Sequence, residues 1–376
     1  MLNPQKYLEL LKSGGVNFFT GVPDSLLKDF CACLNENTDS ESHIIAANEG
    51  AAIGLAIGHQ LGSGGVPLVY MQNSGLGNIV NPILSLASPE VYSVPMLLMI
   101  GWRGQPGIKD EPQHIHQGRV MIDMLHAMDI PSIILSDDPT TAAQQTKKAL
   151  IEALQNNRPI ALIAIKGLFK SYKANGPMSE KNMTRESAII EVASLLEDDA
   201  VVVSTTGMAS RELFEYRSSI DAGHERDFLT VGGMGHANQI ALGIAISQPK
   251  RKIYCFDGDG AAIMHMGSMG IVGQSGCKNF THIVFNNGAH GSVGGQPTIG
   301  LDINFCKIAA ACGYVQADRV EAFQEIRKIF NVHQHMCGPT FIEICVSAIN
   351  KKDIGRPSST PLENKLELIN YLSINT

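Results

Sequence analysis

The chain has 376 residues, enough for two or three domains, with 44% hydrophobic and 17% charged residues. A formal net charge of −7 leaves no basic footprint for nucleic acid or anionic lipid, and points to a small molecule or another protein as partner. The longest clean apolar stretch, 94–102, is far short of the ~20 residues of a spanning helix, so no membrane partner is expected. The 8 cysteines show neither CxxC pairs nor metal-ligand spacing, and no basic-apolar-small leader precedes them. They are expected as reduced thiols in a cytoplasmic protein.

In chain order, the hydrophobic pattern predicts a helix over 4–13, a strand over 17–20, a helix over 24–35 and a strand over 43–47. Buried strands are expected at 67–72, 95–101, 132–135 and 159–165, with a helix over 140–156 between the last two. Short strands alternating with helices indicate βαβ units and a parallel sheet. Residues 1–169 therefore make one open α/β domain. Residues 170–184 are polar, carry Gly-Pro and lack periodicity, as in an interdomain linker. The rhythm then restarts: helix 185–196, strand 200–204, a helix from 210, strand 252–256, helix 266–276, strand 281–286, a helix around 322–330 and strand 340–346. A second α/β domain is expected over 185–376, with no residue-level repeat joining the two.

The most informative segments are Asp257-Gly258-Asp259-Gly260 and Asn286-Asn287-Gly288-Ala289. Asp259 and Asn287 stand 28 positions apart with a helix and a strand between them. In a parallel sheet that crossover returns both strand ends to one edge. A hard cation suits the pair, because Mg2+ takes few protein oxygens alongside phosphate oxygens, and Asp259, Asn287 and the Ala289 carbonyl can supply them. Gly260 and the helix after it would offer N–H groups to a phosphate. The plainer alternative, a glycine turn with Asp259 capping a helix, gives no reason for the asparagine pair. Neither Gly258-x-Gly260 nor Gly233-x-Gly235 completes a dinucleotide fingerprint. A second signal is Glu49, which with Asn48 interrupts an otherwise small and apolar run over 44–57. Such a carboxylate needs a partner, or else sits in the first turn of a helix.

Asn48-Glu49 ahead of a small-residue helix, with GDG and Asn-Asn in the second half, resembles the thiamine diphosphate enzymes. The resemblance implies two consecutive open parallel-sheet domains of the thiamine diphosphate-binding fold, pyrimidine-binding over 1–169 and diphosphate-binding over 185–376, with no middle domain. It implies thiamine diphosphate and Mg2+ as cofactors. Glu49 would hydrogen-bond N1′ of the aminopyrimidine, Asp259, Asn287 and Ala289 would hold the metal, and Gly258, Gly260 and Ala261 would line the diphosphate. Met234, in Val231-Gly232-Gly233-Met234-Gly235, would prop the cofactor, although an ordinary core methionine reads equally well.

The segments 21–27 (GVPDSLL), 72–78 (QNSGLGN), 101–104 (GWRG), 109–114 (KDEPQH) and 286–298 (NNGAHGSVGGQPT) resemble one branch of that family, the phosphonopyruvate and sulfopyruvate decarboxylases. The likeness covers nearly the whole chain. Where that branch carries an acidic residue, Gly291 stands. The implied reaction is non-oxidative decarboxylation of 3-phosphonopyruvate to phosphonoacetaldehyde and CO2, in phosphonate biosynthesis. A sulfopyruvate decarboxylase and a non-catalytic cofactor-binding regulatory subunit are the alternatives. One chain holding both halves is taken to favour the phosphonate substrate, and the presence of Glu49 and Asp259 to disfavour the regulatory subunit. Asp24 and His114 are implied as proton-relay groups and Ser25 as a substrate contact. Arg103, Lys109, His114 and His290, expected in glycine- and proline-rich loops, would meet the anionic substrate. Surface pairing of Arg103 and Lys109 with Asp110 and Glu111 is the plainer alternative for the two cations. His116 and His126 are expected to be structural or solvent-facing. The resemblance also implies a homo-oligomer, at least a dimer, with active sites between subunits.

Overall fold

Capping chemistry sets where several helices begin. Asn3, Asn48, Asp138, Thr184 and Asn304 each accept, through the side chain, the backbone N–H three residues on. They open helices Pro4–Ser13, Glu49–Ser63, Pro139–Asn156, Arg185–Ser194 and Phe305–Cys312. The structure, a computed structural model, describes residues 1–173, 182–349, 351 and 353–374. It divides into two units, Met1–Gly176 and Pro177–Thr376. Of the expected linker, residues 174–181 lie outside the described residues.

The first unit holds β1 (Val16–Gly21), β2 (His43–Ile45), β3 (Val66–Gln72), β4 (Met96–Gly101), β5 (Ser132–Ile134) and β6 (Pro159–Ala164). They form one parallel sheet in the order β2-β1-β3-β4-β6-β5. β4 and β6 are buried at every position, as expected for strands covered on both faces. One apolar layer joins Phe19, Leu68, Tyr70 and Leu97 to helices Pro4–Ser13 and Pro139–Asn156. The other joins Val69, Leu98 and Ile163 to Ala52, Ile53 and Ala56 of helix Glu49–Ser63 and to Met121 and Leu125 of helix Pro112–Ala127.

The second unit holds β7 (Val201–Ser204), β8 (Asp227–Leu229), β9 (Ile253–Gly258), β10 (Phe280–Asn286), a small antiparallel hairpin of β11 (Ala289–His290) and β12 (Gln296–Pro297), then β13 (Gln316–Val320) and β14 (Thr340–Cys345). Its sheet is parallel in the order β13-β14-β10-β9-β7-β8. Numbered one to six within its own unit, each sheet has the strand order 2-1-3-4-6-5. The repeat that is absent from the residues is thus present in the connectivity.

The expected helix over 24–35 is corrected: it spans Lys28–Asn37. Residues 24–27 form a turn instead, because the Leu26 N–H is held by the Asp24 carboxylate and the Leu27 N–H by the Asp24 carbonyl. None of the cysteines is bridged. No helix among the described residues is long and apolar enough to cross a membrane.

Candidate active site

In the first unit, Glu49 stands at the start of helix Glu49–Ser63 and is 5% exposed. Asn78 Nδ2 donates to its Oε2 at 2.6 Å. A Cβ at Gly75 would lie 2.5 Å from Oε1, so the glycine is what gives the carboxylate room. Segment 72–78 therefore wraps Glu49 with an amide on one side and a missing side chain on the other. The helix-start alternative is also met, since the residue occupies the first turn, but a first-turn glutamate on a surface would be solvated.

Asp24 lies at the carboxyl end of β1, fully buried. Its Oδ2 accepts the Leu26 N–H at 3.0 Å, and Oδ1 has no hydrogen-bond partner among the described residues. Burial pushes the carboxyl up to about 6, with the Leu26 N–H and the Arg103 charge opposing. A Cβ at Gly101, the last residue of β4, would lie 2.1 Å from Oδ2. That glycine cannot be replaced without moving the acid.

Arg103 donates from Nη1 to Ser25 Oγ at 2.7 Å and from Nε to Asp110 Oδ2 at 2.8 Å, and Nη2 completes a bidentate pair with Asp110. The Arg103 and Asp110 side chains are 18% and 15% exposed. Burial raises the Asp110 carboxyl, but the Arg103 hydrogen bonds and the Gly104 N–H prevail and hold it at about 2. The expected pairing with Asp110 is therefore present, in half-buried form. Asn73 ties this loop to the end of β3, donating to the Arg103 carbonyl at 2.8 Å and accepting its N–H at 3.2 Å. Lys109 is exposed and makes no ion pair among the described residues. His114 is corrected from a loop to the first turn of helix Pro112–Ala127. It is 8% exposed, and burial with the nearby Arg103 charge lowers its pKa to about 4, so it is neutral at pH 7. His116 and His126 are exposed.

In the second unit, β9 and β10 are parallel neighbours, which brings Asp259 and Asn287 together past their ends. The Asn287 N–H faces Asp259 Oδ1 at 3.4 Å, and the Thr298 hydroxyl donates to Oδ2. Gly300 makes room, since a Cβ there would lie 2.6 Å from Oδ2. Asp259 is 2% exposed, and no Lys, Arg or His pairs with it among the described residues. Burial pushes its carboxyl up to about 6, with the Thr298 hydroxyl opposing. Asn287 Oδ1 accepts the Ala289 N–H at 3.1 Å, while Nδ2 is buried without a partner among the described residues. The Ala289 carbonyl accepts the Gly291 N–H at 2.9 Å. A buried carboxylate without a protein cation, beside a carboxamide and a carbonyl, is a donor set that fits a hard divalent ion.

Asp257, the other acid of the motif, is a strut. Its Oδ2 meets His282 Nε2 at 3.3 Å, and His282 Nδ1 meets Tyr314 Oη at 3.3 Å. Asn286 likewise holds the loop below Asp259, donating to the Gly300 carbonyl and to Glu343, both at 2.7 Å. Met234, Gly258, Gly260, Ala261 and Asn287 line one pocket with His290. The His290 ring sits so close to Gly260 that a Cβ there would be 3.0 Å away, and burial lowers its pKa to about 4. Neighbours outside the expected set include Thr205 and Thr206 in the pocket wall and Thr298 on the acid. Only their positions past strand ends could have marked them.

The N-terminal TPP binding domain of thiamine pyrophosphate enzymes matches residues 5–134, and the C-terminal TPP binding domain of the same enzymes matches 205–344. A phosphonopyruvate decarboxylase of Streptomyces viridochromogenes is 33% identical, over 93% of this chain and 89% of its own. Another, of Streptomyces hygroscopicus, is 31% identical over 96% and 92%. This chain belongs to the thiamine pyrophosphate enzymes. Within them it is a thiamine diphosphate-dependent decarboxylase of the phosphonopyruvate/sulfopyruvate type, a carboxy-lyase. A sulfopyruvate decarboxylase of Methanosarcina acetivorans is 27% identical over 96% of this chain and 95% of its own. That match corrects one expectation. A single chain holding both halves does not favour the phosphonate substrate, because a sulfopyruvate enzyme is built the same way from end to end.

Proposed function

We propose that this decarboxylase acts on 3-phosphonopyruvate, releasing CO2 and phosphonoacetaldehyde, in the cytoplasm and within phosphonate biosynthesis. The observation that carries the substrate is a cleft of about 220 Å3 in the first unit, whose wall includes Ser25 and Arg103. A guanidinium held in place by Asp110 and Ser25 is preorganised for an oxyanion. The similarity to two phosphonopyruvate decarboxylases supports the same reading. Sulfopyruvate is the second reading, because a sulfonate offers the cleft the same oxygens with less charge.

Bound thiamine diphosphate supplies the electron sink that a 2-keto acid lacks. Asp259, Asn287 and the Ala289 carbonyl would hold Mg2+, and Gly258, Gly260 and Ala261 would admit the diphosphate closely. Met234 would support the cofactor from the side. Glu49, fixed by Asn78, would hold the proton shared with N1′. Asp24, with a pKa of about 6, can hold or release a proton near neutral pH, and neutral His114 can accept one. Ser25 and His290 would orient the substrate. Glu49 belongs to one unit and the metal pair to the other, and the resemblance to the family supports a site completed by two copies of the chain, so that a dimer is the smallest active form.

Aldehyde release from phosphonopyruvate, sulfopyruvate and pyruvate, with thiamine diphosphate and Mg2+ supplied, tests this. The highest kcat/KM is expected for phosphonopyruvate. A higher value for sulfopyruvate establishes the second reading, and equal values for pyruvate overturn both.

A further inference from the structure

β4 and β6 are neighbours with Gly101 and Ala164 in register. The Trp102 N–H donates to the Ala164 carbonyl at 2.9 Å, so the two segments stay side by side just beyond the sheet. Arg103 and Lys166 each stand two residues past that paired position, and both line the cleft that contains Ser25. Their charges are not equivalent. Arg103 is braced by Asp110, which lines the same cleft, so its guanidinium offers an oxyanion a directed donor while the pair adds little net charge. Lys166 is exposed and has no carboxylate within ion-pair distance among the described residues. Lys109 lines a different cleft, of about 440 Å3, with Gly104 and Arg119.

We propose that Lys166 is the residue that reads the anionic tail of the substrate, with Arg103 as its braced neighbour and Lys109 playing no such part. The inference rests on the reading that the substrate carries a second anionic group. Without Lys166 the cleft holds one fixed cation and one fixed anion, which attract a dianionic tail and repel it in similar measure. With Lys166 the balance is positive, and the flexible ammonium can follow a phosphonate oxygen as the keto carbon is positioned. The tail is remote from the reacting bond, so its binding contributes to orientation as well as affinity.

Two measurements on the holoenzyme test this. The first is kcat/KM for phosphonopyruvate and pyruvate in K166M, K166R and K109M. Loss of one charge-assisted contact is expected to lower the phosphonopyruvate value of K166M by about 10- to 100-fold, with a much smaller loss for pyruvate. K166R is expected to recover most of the difference, and K109M to show no selective loss. The second is calorimetric binding of 3-phosphonopropionate, which carries both anionic groups but no reacting carbonyl. Its Kd is expected to rise by a similar factor in K166M. Equal fractional losses for the two substrates, an unchanged Kd, or a selective loss in K109M each overturn the assignment. If the wild type itself does not prefer an anionic-tailed keto acid, the substrate reading fails, and the 3-phosphonopropionate Kd still decides whether Lys166 binds the tail.

Discussion

Asp24 and Asp259 both hold carboxyl groups near pH 6 inside the protein, and in both burial is the cause. For such a group the folded chain binds a proton more tightly than the unfolded chain, so stability falls as pH rises from about 4 to about 6. For Asp24 the shift from 3.8 to about 6 corresponds to roughly 2 to 3 kcal/mol above that window. Asp24→Asn is therefore expected to be more stable than wild type to urea at pH 7.5, with no gain at pH 3.5 and with reduced turnover. Equal stability at pH 7.5 would mean that the buried acid is compensated. At Asp259 a divalent ion would relieve the same strain. Asp259→Ala and Asn287→Ala are expected to lose Mg2+-dependent binding of thiamine diphosphate in calorimetry, and retained wild-type affinity would remove them from the metal site. Glu49→Gln keeps the shape and loses the charge. It is expected to bind cofactor while proton exchange at its C2 slows by orders of magnitude, and undiminished exchange would leave Glu49 a helix-start residue. Glu49 stands out in the sequence as a polar break in a small apolar run, and Asp259 and Asn287 as polar residues at two strand ends one crossover apart. Thr298 and Gly300, which meet Asp259, and Lys166, which lines the cleft of the first unit, do not stand out, because folding of separate loops and strands, and no local pattern, places them there.

At the scale of elements, short continuous apolar runs separated by helical periodicity made most strands readable, and the misses have physical causes. The helix expected over 24–35 opens only at Lys28, because the Asp24 carboxylate closes a turn on Leu26. β13 has the polar sequence QADRV and only Val320 is buried, so it shows no apolar alternation. β8 is three residues long and carries Asp227, held by Arg217 at 3.0 Å. Helix Pro112–Ala127 crosses the Arg103 loop at very close range. A Cβ at Gly118 would lie 1.8 Å from the Gly104 carbonyl oxygen, and one at Gly104 1.9 Å from the His114 carbonyl oxygen. Gly118→Ala is expected to force the loop and helix apart, at a cost of about 1–3 kcal/mol. A lower Tm together with a lower kcat/KM for phosphonopyruvate would bear this out. An unchanged Tm would show that the crossing tolerates the methyl group.

At the scale of the whole chain, the two sheets share one strand order, so repetition shows in the connectivity. Each unit carries buried polar groups at the carboxyl ends of its strands, where parallel sheets leave backbone and loops free to meet a ligand. Glu49 stands in the first unit and Asp259 in the second, and under the proposed function they serve opposite ends of one cofactor. If the two are contributed by different copies, two inactive variants should repair one another. Glu49→Gln and Asp259→Ala are each expected to be inactive alone. Mixed at equal amounts under mild denaturant and returned to native buffer, half of the dimers become mixed, and each mixed dimer holds one site with both residues intact. About a quarter of wild-type activity should then return, as dimer statistics require. The mixed species can be counted by native mass spectrometry with one variant isotopically labelled. Mixed dimers formed in full with no recovered activity would show that each chain completes its own site.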